Sequence, residues 1–76
     1  MFISLTIEIN ATEYDIRIDA KQIIIEALII LRQCGKLPVG ANPDYFRSLL
    51  KQQLVSAHKT FSEEGVYDGD VLSAIF

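Results

Sequence analysis

The sequence predicts an α+β fold in which a mixed β-sheet of four to five strands packs on one main helix. Apolar and polar residues alternate in two runs near the N-terminus, the next segment has helical spacing, and the last residues are rich in β-branched and aromatic side chains. A chain of 76 residues has room for one hydrophobic core. We therefore expect residues 1–76 to form a single domain.

The first two strands are predicted by strict alternation. From Ile3 to Ile9 every second residue is apolar, which is typical of a strand with one buried and one solvated face. Residues 10–13 have turn-forming side chains, and the alternation resumes from Tyr14 to Ile18. We expect these two strands to form a hairpin.

The main helix is expected from about Ala20 to Cys34, because this segment contains no glycine or proline. Asp19 occupies the N-cap position, and Gln22 follows three residues later, as in a capping box. Gly35 suits the left-handed conformation that often follows a helix, and Pro38 prevents any continuation.

The rest of the chain predicts an irregular connection, a strand, a turn, a short strand, a second turn and a final strand. In that order they cover residues 36–44, 45–50, 51–53, 54–56, 67–70 and 71–76. The complete order is therefore β-β-α-β-β-β. It favours a sheet in which the final strand lies centrally and parallel to the first while the helix crosses behind, which is the β-grasp arrangement.

Composition excludes several classes of protein. Half of the residues are apolar and 22% are charged, which is typical of a folded chain rather than a disordered one. The net charge is −3, and the basic residues are spread from Arg17 to Lys59, so we expect no nucleic-acid ligand. Cys34 is the only cysteine and has no partner for an internal disulfide, which favours a reducing compartment.

The chain also lacks features of export and of membrane insertion. Its first residues have neither the basic start nor the unbroken apolar core of a signal peptide. The most apolar stretch, Ile23 to Leu31, is interrupted by Glu26 and is much shorter than the roughly 20 residues of a membrane span. We expect a cytoplasmic protein without direct membrane insertion.

No residue pattern predicts catalysis or a bound cofactor. His58 is the only histidine, and we interpret it as a surface residue and Cys34 as a packing residue. The acidic residues of 63–70 lack the spacing of an EF-hand, and we expect Asp68 and Asp70 to stabilise a turn in which Gly69 has a positive φ. We therefore predict no catalytic residue, no metal and no cofactor.

The helix has more apolar residues than one buried face needs. Ile25 and Ile29 lie outside the predicted buried stripe and beside polar residues. That stripe consists of Ile24, Ala27, Leu28 and Leu31, with Ile23 and Ile30 at its margins. Either the 36–44 connection covers the two leftover isoleucines, or they form a protein contact, which would be a homodimer interface or a docking site for a larger partner.

The predicted third strand offers a second candidate surface. Tyr45-Phe46 and Leu49-Leu50 are consecutive apolar pairs, so we expect one member of each pair to face solvent. Arg47 and Leu49 share one face of this strand, and both are candidate interaction residues, as are Ser4 and Thr6 on the first strand.

The residues of this strand and of the C-terminus resemble a known family. Phe46-Arg47-Ser48-Leu49-Leu50-Lys51 and the segment from Phe61 to Phe76 are similar to the bacterial ubiquitin-like proteins of the YukD and EsaB type. The resemblance implies a ubiquitin-like β-grasp domain that serves as a non-enzymatic accessory or regulatory component of a type VII (WXG-type) secretion system. It implies protein partners among the membrane or ATPase components of that system and leaves a homodimer open.

An alternative is a ubiquitin-like modifier or sulfur carrier. That chemistry requires a flexible tail that ends in Gly-Gly, whereas the given chain ends in Ala74-Ile75-Phe76. We therefore expect neither activity, unless the natural chain continues beyond Phe76. By analogy with the sheet surface that ubiquitin uses, the resemblance favours contacts through the exposed face around Arg47 and Leu49.

Overall fold

A computed structural model describes all 76 residues, and its elements follow the predicted order. The elements are β1 (Phe2–Ile9), β2 (Thr12–Asp19), α1 (Ile24–Gln33), β3 (Tyr45–Ser48), β4 (Gln53–Ser56) and β5 (Val71–Ile75). The five strands form one sheet in the order β2-β1-β5-β3-β4. Because β5 is parallel to β1 and every other pair is antiparallel, the predicted central pairing of the first and last strands is confirmed.

One face of the sheet and one side of α1 enclose the hydrophobic core. Ile7, Leu72 and Phe46, on the neighbouring strands β1, β5 and β3, have no exposed surface. The helix contributes Ile24, Ala27 and Leu28, which are also fully buried, so these members of the predicted stripe are confirmed. Leu31, its fourth member, is half-buried and packs against the same core.

The hairpin between β1 and β2 is tighter than expected. The predicted turn covers residues 10–13, but Ile9 pairs directly with Thr12. Asn10 and Ala11 are the only residues between the strands, and both have positive φ, at 51° and 65°. Two left-handed residues give the turn a twist that matches the twist of the flanking strands.

Helix α1 begins at Ile24 rather than near Ala20, so the predicted capping box is wrong. Asp19 belongs to β2, and its carboxylate accepts a hydrogen bond from the Lys21 N–H at 3.0 Å. The N-cap position is held by Ile23, whose side chain makes no capping bond. Ile23 instead bridges to Thr60, which holds the chain extended up to the start of the helix.

The end of the helix is as predicted at Gly35, which has a φ of 75°. The interpretation of Cys34 as a packing residue is wrong, because its thiol is exposed. Leu37 is buried instead and returns the chain to the core. The Arg32 guanidinium lies over the 36–44 connection and donates hydrogen bonds to its backbone carbonyl groups at Pro38 and, at 3.1 Å, Ala41.

The turn before β5 contains a buried carboxylate. Asp70 is 1% exposed and accepts hydrogen bonds from the Ser48 hydroxyl at 2.7 Å, the Leu50 N–H at 3.2 Å and the Val71 N–H at 2.7 Å. Gly69 has a φ of 83°, as the turn prediction requires. Asp70 therefore joins the beginning of β5 to the end of β3.

The two edges of the sheet differ in length and in protection. β2 is an edge of eight residues, whereas β4 has only four. On β4 the Ser56 N–H points away from β3 and donates to the Glu64 carboxylate at 3.0 Å. A short edge with an occupied donor is a poor template for a further strand.

Replacing the buried carboxylate should destabilise the fold strongly. We expect Asp70→Ala to lower the free energy of unfolding by about 2–4 kcal/mol, because it leaves a buried hydroxyl and two partly buried amides without their acceptor. Urea denaturation followed by circular dichroism measures the loss. Asp68→Ala is the control, since that exposed carboxylate accepts one amide bond, from Ser4. Equal losses of stability in the two variants would show that the burial of the Asp70 carboxylate does not determine the size of the effect.

Candidate protein-interaction surfaces

The face of the sheet opposite α1, here called the outer face, has an apolar half and an acidic half. Strands β5, β3 and β4 carry exposed apolar side chains there, whereas β1 and β2 carry mainly charged and hydroxyl groups. This division follows from the strand order, which places β1 and β2 together at one side of the sheet. The outer face therefore presents two chemically distinct surfaces.

The apolar half forms a group of four exposed side chains around Arg47, here called the outer-face cluster. Its apolar members are Tyr45, Leu49, Leu54 and Ile75, which are 48%, 46%, 55% and 41% exposed. Tyr45 pairs with Ile75 across β3 and β5, and Arg47 pairs with Leu54 across β3 and β4. Leu49 follows β3 and extends the ladder, since its N–H donates to the Val71 carbonyl at 2.9 Å.

Arg47 has no ionic partner within the chain. The Met1 ammonium pairs with Asp19, and the His58 ring contacts the Asp44 carboxylate, but neither contact involves Arg47. Ser73 lies between Arg47 and Glu8 in the sheet, and its hydroxyl donates to the Glu8 carboxylate at 2.7 Å. The guanidinium therefore remains available to an anion from another molecule.

The acidic half of the outer face covers β1, β2 and the turn before β5. It contains Glu8, Glu13, Asp15, Asp19 and Asp68, with Arg17 as its cation. Some of these carboxylates have partners, since Thr6 donates to Asp15 at 2.7 Å and the Ser4 N–H donates to Asp68 at 2.6 Å. The predicted candidates Ser4 and Thr6 thus lie outside the apolar half.

The two isoleucines predicted to share an exposed face of the helix are separated by the structure. Ile29 is 42% exposed, and Ile30 beside it is 43% exposed. Ile25 is half-buried and packs against the core, so it is covered, although not by the predicted 36–44 connection. The cause is the connection that follows β4, which lies beside the first helical turn: the Ile25 N–H donates to the Ala57 carbonyl at 2.8 Å.

Sequence reasoning located part of the outer-face cluster. It placed Arg47 and Leu49 correctly on one exposed face, and Tyr45 is exposed while Phe46 is buried, as expected. Both Leu49 and Leu50 are exposed, however, because β3 ends at Ser48 and the chain turns there.

Leu54 and Ile75 were missed as members of the cluster. The signal that could have found them is the consecutive apolar pairs Leu54-Val55 and Ala74-Ile75, of which a strand can bury only one member.

The acidic residues of the 63–70 segment have separate structural partners. Glu63 accepts the Thr60 N–H at 2.9 Å and donates its own N–H to the Thr60 hydroxyl at 3.0 Å, which is a capping box. Glu64 accepts the Ser56 N–H, and Asp68 accepts the Ser4 N–H. With Asp70 buried, these carboxylates do not converge on one point, and the chain has no group of three or more metal-ligating side chains.

The histidine and the cysteine do not approach each other in a common cavity. His58 is exposed, and its Nε2 lies 2.9 Å from the Asp44 carboxylate. Cys34 is exposed at the end of α1. None of the four surface depressions is lined by either residue.

Comparison with known proteins identifies the fold. No family model matches the chain, and no curated protein matches it. A solved structure that it resembles is the ubiquitin-like domain of EccD5 from Mycobacterium xenopi, with 23% sequence identity and a TM-score of 0.61 over 100% of this chain and 94% of that one. The predicted ubiquitin-like β-grasp fold is confirmed. No helix has both the length and the apolar character needed to cross a membrane.

The Glu63 capping box should make stability depend on pH. The Thr60 N–H, and then its hydroxyl, hold the pKa of the Glu63 carboxyl below its ordinary value of 4.5. A lowered pKa in the folded state contributes stability above pH 4.5 that is lost as the pH falls through the lowered value. We expect wild-type protein to lose more stability than Glu63→Gln between about pH 6 and about pH 3, as measured by urea denaturation.

Glu13→Gln is the matched control for this prediction, because the Glu13 carboxylate is exposed and accepts no hydrogen bond within the chain. Its pH profile should follow that of wild type. If Glu63→Gln also follows the wild-type profile, the capping box does not contribute to acid sensitivity.

Proposed function

We propose that this chain is a non-enzymatic protein-interaction module that acts as a cytoplasmic accessory or regulatory component of a type VII (WXG-type) secretion system. The observation that carries the proposal is the outer-face cluster, in which exposed apolar side chains surround a cation without an ionic partner. Exposing such a surface to water is unfavourable, because its apolar side chains are not buried and its guanidinium forms no ion pair within the chain.

The chemistry of the cluster indicates the kind of partner. An apolar surface with one central guanidinium suits a protein segment that presents aliphatic or aromatic side chains together with a carboxylate. Arginine forms bidentate bonds to carboxylates and stacks on apolar groups, which makes it effective at the centre of an interface. The partner segment is therefore expected to contain an aspartate or glutamate beside apolar residues.

The absence of enzymatic activity is part of the proposal. Cys34 and His58 lie on separate parts of the surface, and the His58 ring already faces Asp44. The carboxylates of the 63–70 segment accept backbone amides or are buried. This arrangement supports a binding role, since catalysis requires reactive groups that converge on one substrate.

The assignment to a secretion system rests on the resemblance of residues 46–51 and 61–76 to the YukD and EsaB type of protein. The first segment contains Arg47 and Leu49, and the second contains Ile75, so the resembling stretches supply much of the outer-face cluster. The similarity to the EccD5 ubiquitin-like domain over the whole chain supports the assignment. The partners we propose are the membrane or ATPase components of the same system.

The test uses purified cytoplasmic segments of the secretion-system components encoded beside this chain. Each segment is titrated into the ¹⁵N-labelled protein, and the amide shifts are followed by NMR. We expect shifts at the outer-face cluster, and we expect Arg47→Glu to weaken binding at least about tenfold, which corresponds to about 1.4 kcal/mol. Leu54→Ser removes apolar area from the cluster but leaves the charge of Arg47 unchanged, and it should also weaken binding.

Ile29→Ser is the matched control, because Ile29 is an exposed apolar residue on the helix at the opposite side of the sheet. It should leave the affinity unchanged. The proposal is wrong if none of these segments binds, or if binding shifts the helix amides and is lost in the Ile29 variant while Arg47→Glu binds normally.

A further inference from the structure

The edge strand β2 has a row of backbone groups without partners. The Ala20 N–H donates to the Met1 carbonyl at 2.8 Å, and hydrogen-bonded pairs alternate along an antiparallel ladder. The even-numbered residues of β2 therefore bond to β1, and Glu13, Asp15 and Arg17 direct their N–H and C=O groups away from the sheet. No other part of the chain bonds to these groups.

This edge has none of the protection found on β4. It is eight residues long, has no proline, and lacks an acidic side chain folded back onto its amides as Glu64 is folded onto Ser56. Natural sheets protect long free edges or pair them with another strand.

The side-chain order along β2 is self-complementary. An antiparallel second copy centred on Ile16 places Asp15 of each chain opposite Arg17 of the other. The same register places the outward backbone groups of Asp15 and Arg17 in hydrogen-bonded pairs, each of which exchanges two bonds, for about four bonds in all. Opposite charges directly across an antiparallel pair are stabilising, and like charges are destabilising.

Neighbouring registers of the two β2 strands are less favourable than the one centred on Ile16. A shift by one step of the ladder in either direction centres the pair on Asp15 or on Arg17, so that two like charges meet at the twofold axis. A register that pairs an even-numbered with an odd-numbered residue places free backbone groups opposite groups that are already bonded to β1. Fewer hydrogen bonds can then form between the two copies. Of these registers, only the one centred on Ile16 places both Asp15 and Arg17 opposite an unlike charge.

The other residues of the edge are compatible with this register. On the core side, Ile16 meets its own copy, and Tyr14, which is half-buried, meets Ile18. At the outer ends Glu13 faces Asp19 of the second copy. That contact is moderated because the Asp19 carboxylate already accepts the Lys21 N–H and lies 3.4 Å from the Met1 ammonium.

We propose that β2 is a homodimer interface, in which two copies pair antiparallel about Ile16 through their free backbone groups and reciprocal Asp15–Arg17 contacts. Because β2 and the outer-face cluster lie at opposite sides of the sheet, the dimer leaves the cluster open. The proposal is thus independent of the proposed function, and either can fail alone.

The first measurement is the solution mass by analytical ultracentrifugation from about 5 µM to about 1 mM. An interface of one strand pair is small, so we expect a Kd of roughly 10–500 µM. A strict monomer at the highest concentration overturns the proposal.

Charge reversal then tests the register. Asp15→Arg alone and Arg17→Asp alone each place like charges opposite each other twice, and each should raise the Kd at least about tenfold. The double variant restores both contacts and should return the Kd to within about threefold of wild type. An equimolar mixture of the two single variants should form a heterodimer, because all opposed charges are then unlike. Self-association that survives both single variants overturns the proposal.

Amide hydrogen exchange of the wild-type protein provides a readout that does not depend on the variants folding. Exchange at Asp15 and Arg17 should slow as the concentration rises. The Leu54 amide faces the free side of β4 and is the control, so it should not change. Slowing at Leu54 and not at Asp15 would place the interface on the other edge and reject β2.

Discussion

The turn at Asp68-Gly69-Asp70 is the constraint on which the rest of the sheet depends. Its backbone joins β5 to β1, since the Gly69 N–H donates to the Ser4 carbonyl at 2.8 Å and the Thr6 N–H donates to the Asp70 carbonyl at 3.0 Å. The Asp70 side chain fastens the same strand to the end of β3. One turn thus sets the register of the last strand against both neighbours, and those neighbours are far apart in the sequence. A buried carboxylate that is fully hydrogen-bonded favours one such register over slipped ones.

The sequence was sufficient for several features whose deciding residues are close together. Alternation from Ile3 to Ile9 and the positive φ expected at Gly69 were enough to predict β1 and the last turn. The start of α1 was not predictable in this way, because Thr60 holds Ile23 in an extended bridge from a distance of many residues. The segment that covers Ile25 was not predictable for the same reason, since Ala57 lies beyond β4 in the sequence.

The outer-face cluster shows the same division between local and distant information. Arg47 and Leu49 share a face by strand periodicity alone, so both could be predicted. Leu54 and Ile75 join them only through the pairings of β3 with β4 and with β5, which periodicity does not supply. The side chains that confer apolar character on the surface come from three strands, and the charge at its centre comes from one of them. A binding surface of this kind depends on the tertiary fold more than on any single segment.

The bond from Ser56 to Glu64 has a consequence for the size that an assembly can reach. A sheet that grows by adding strands can continue indefinitely if both of its edges accept a neighbour. Here the Glu64 carboxylate occupies the Ser56 N–H on the short edge, which makes that edge a poor template for a further strand. The dimer we propose pairs the long edge of one copy with the long edge of the other, so it closes on itself. Pairing of this kind produces a closed dimer rather than a growing fibre, although half of the residues are apolar.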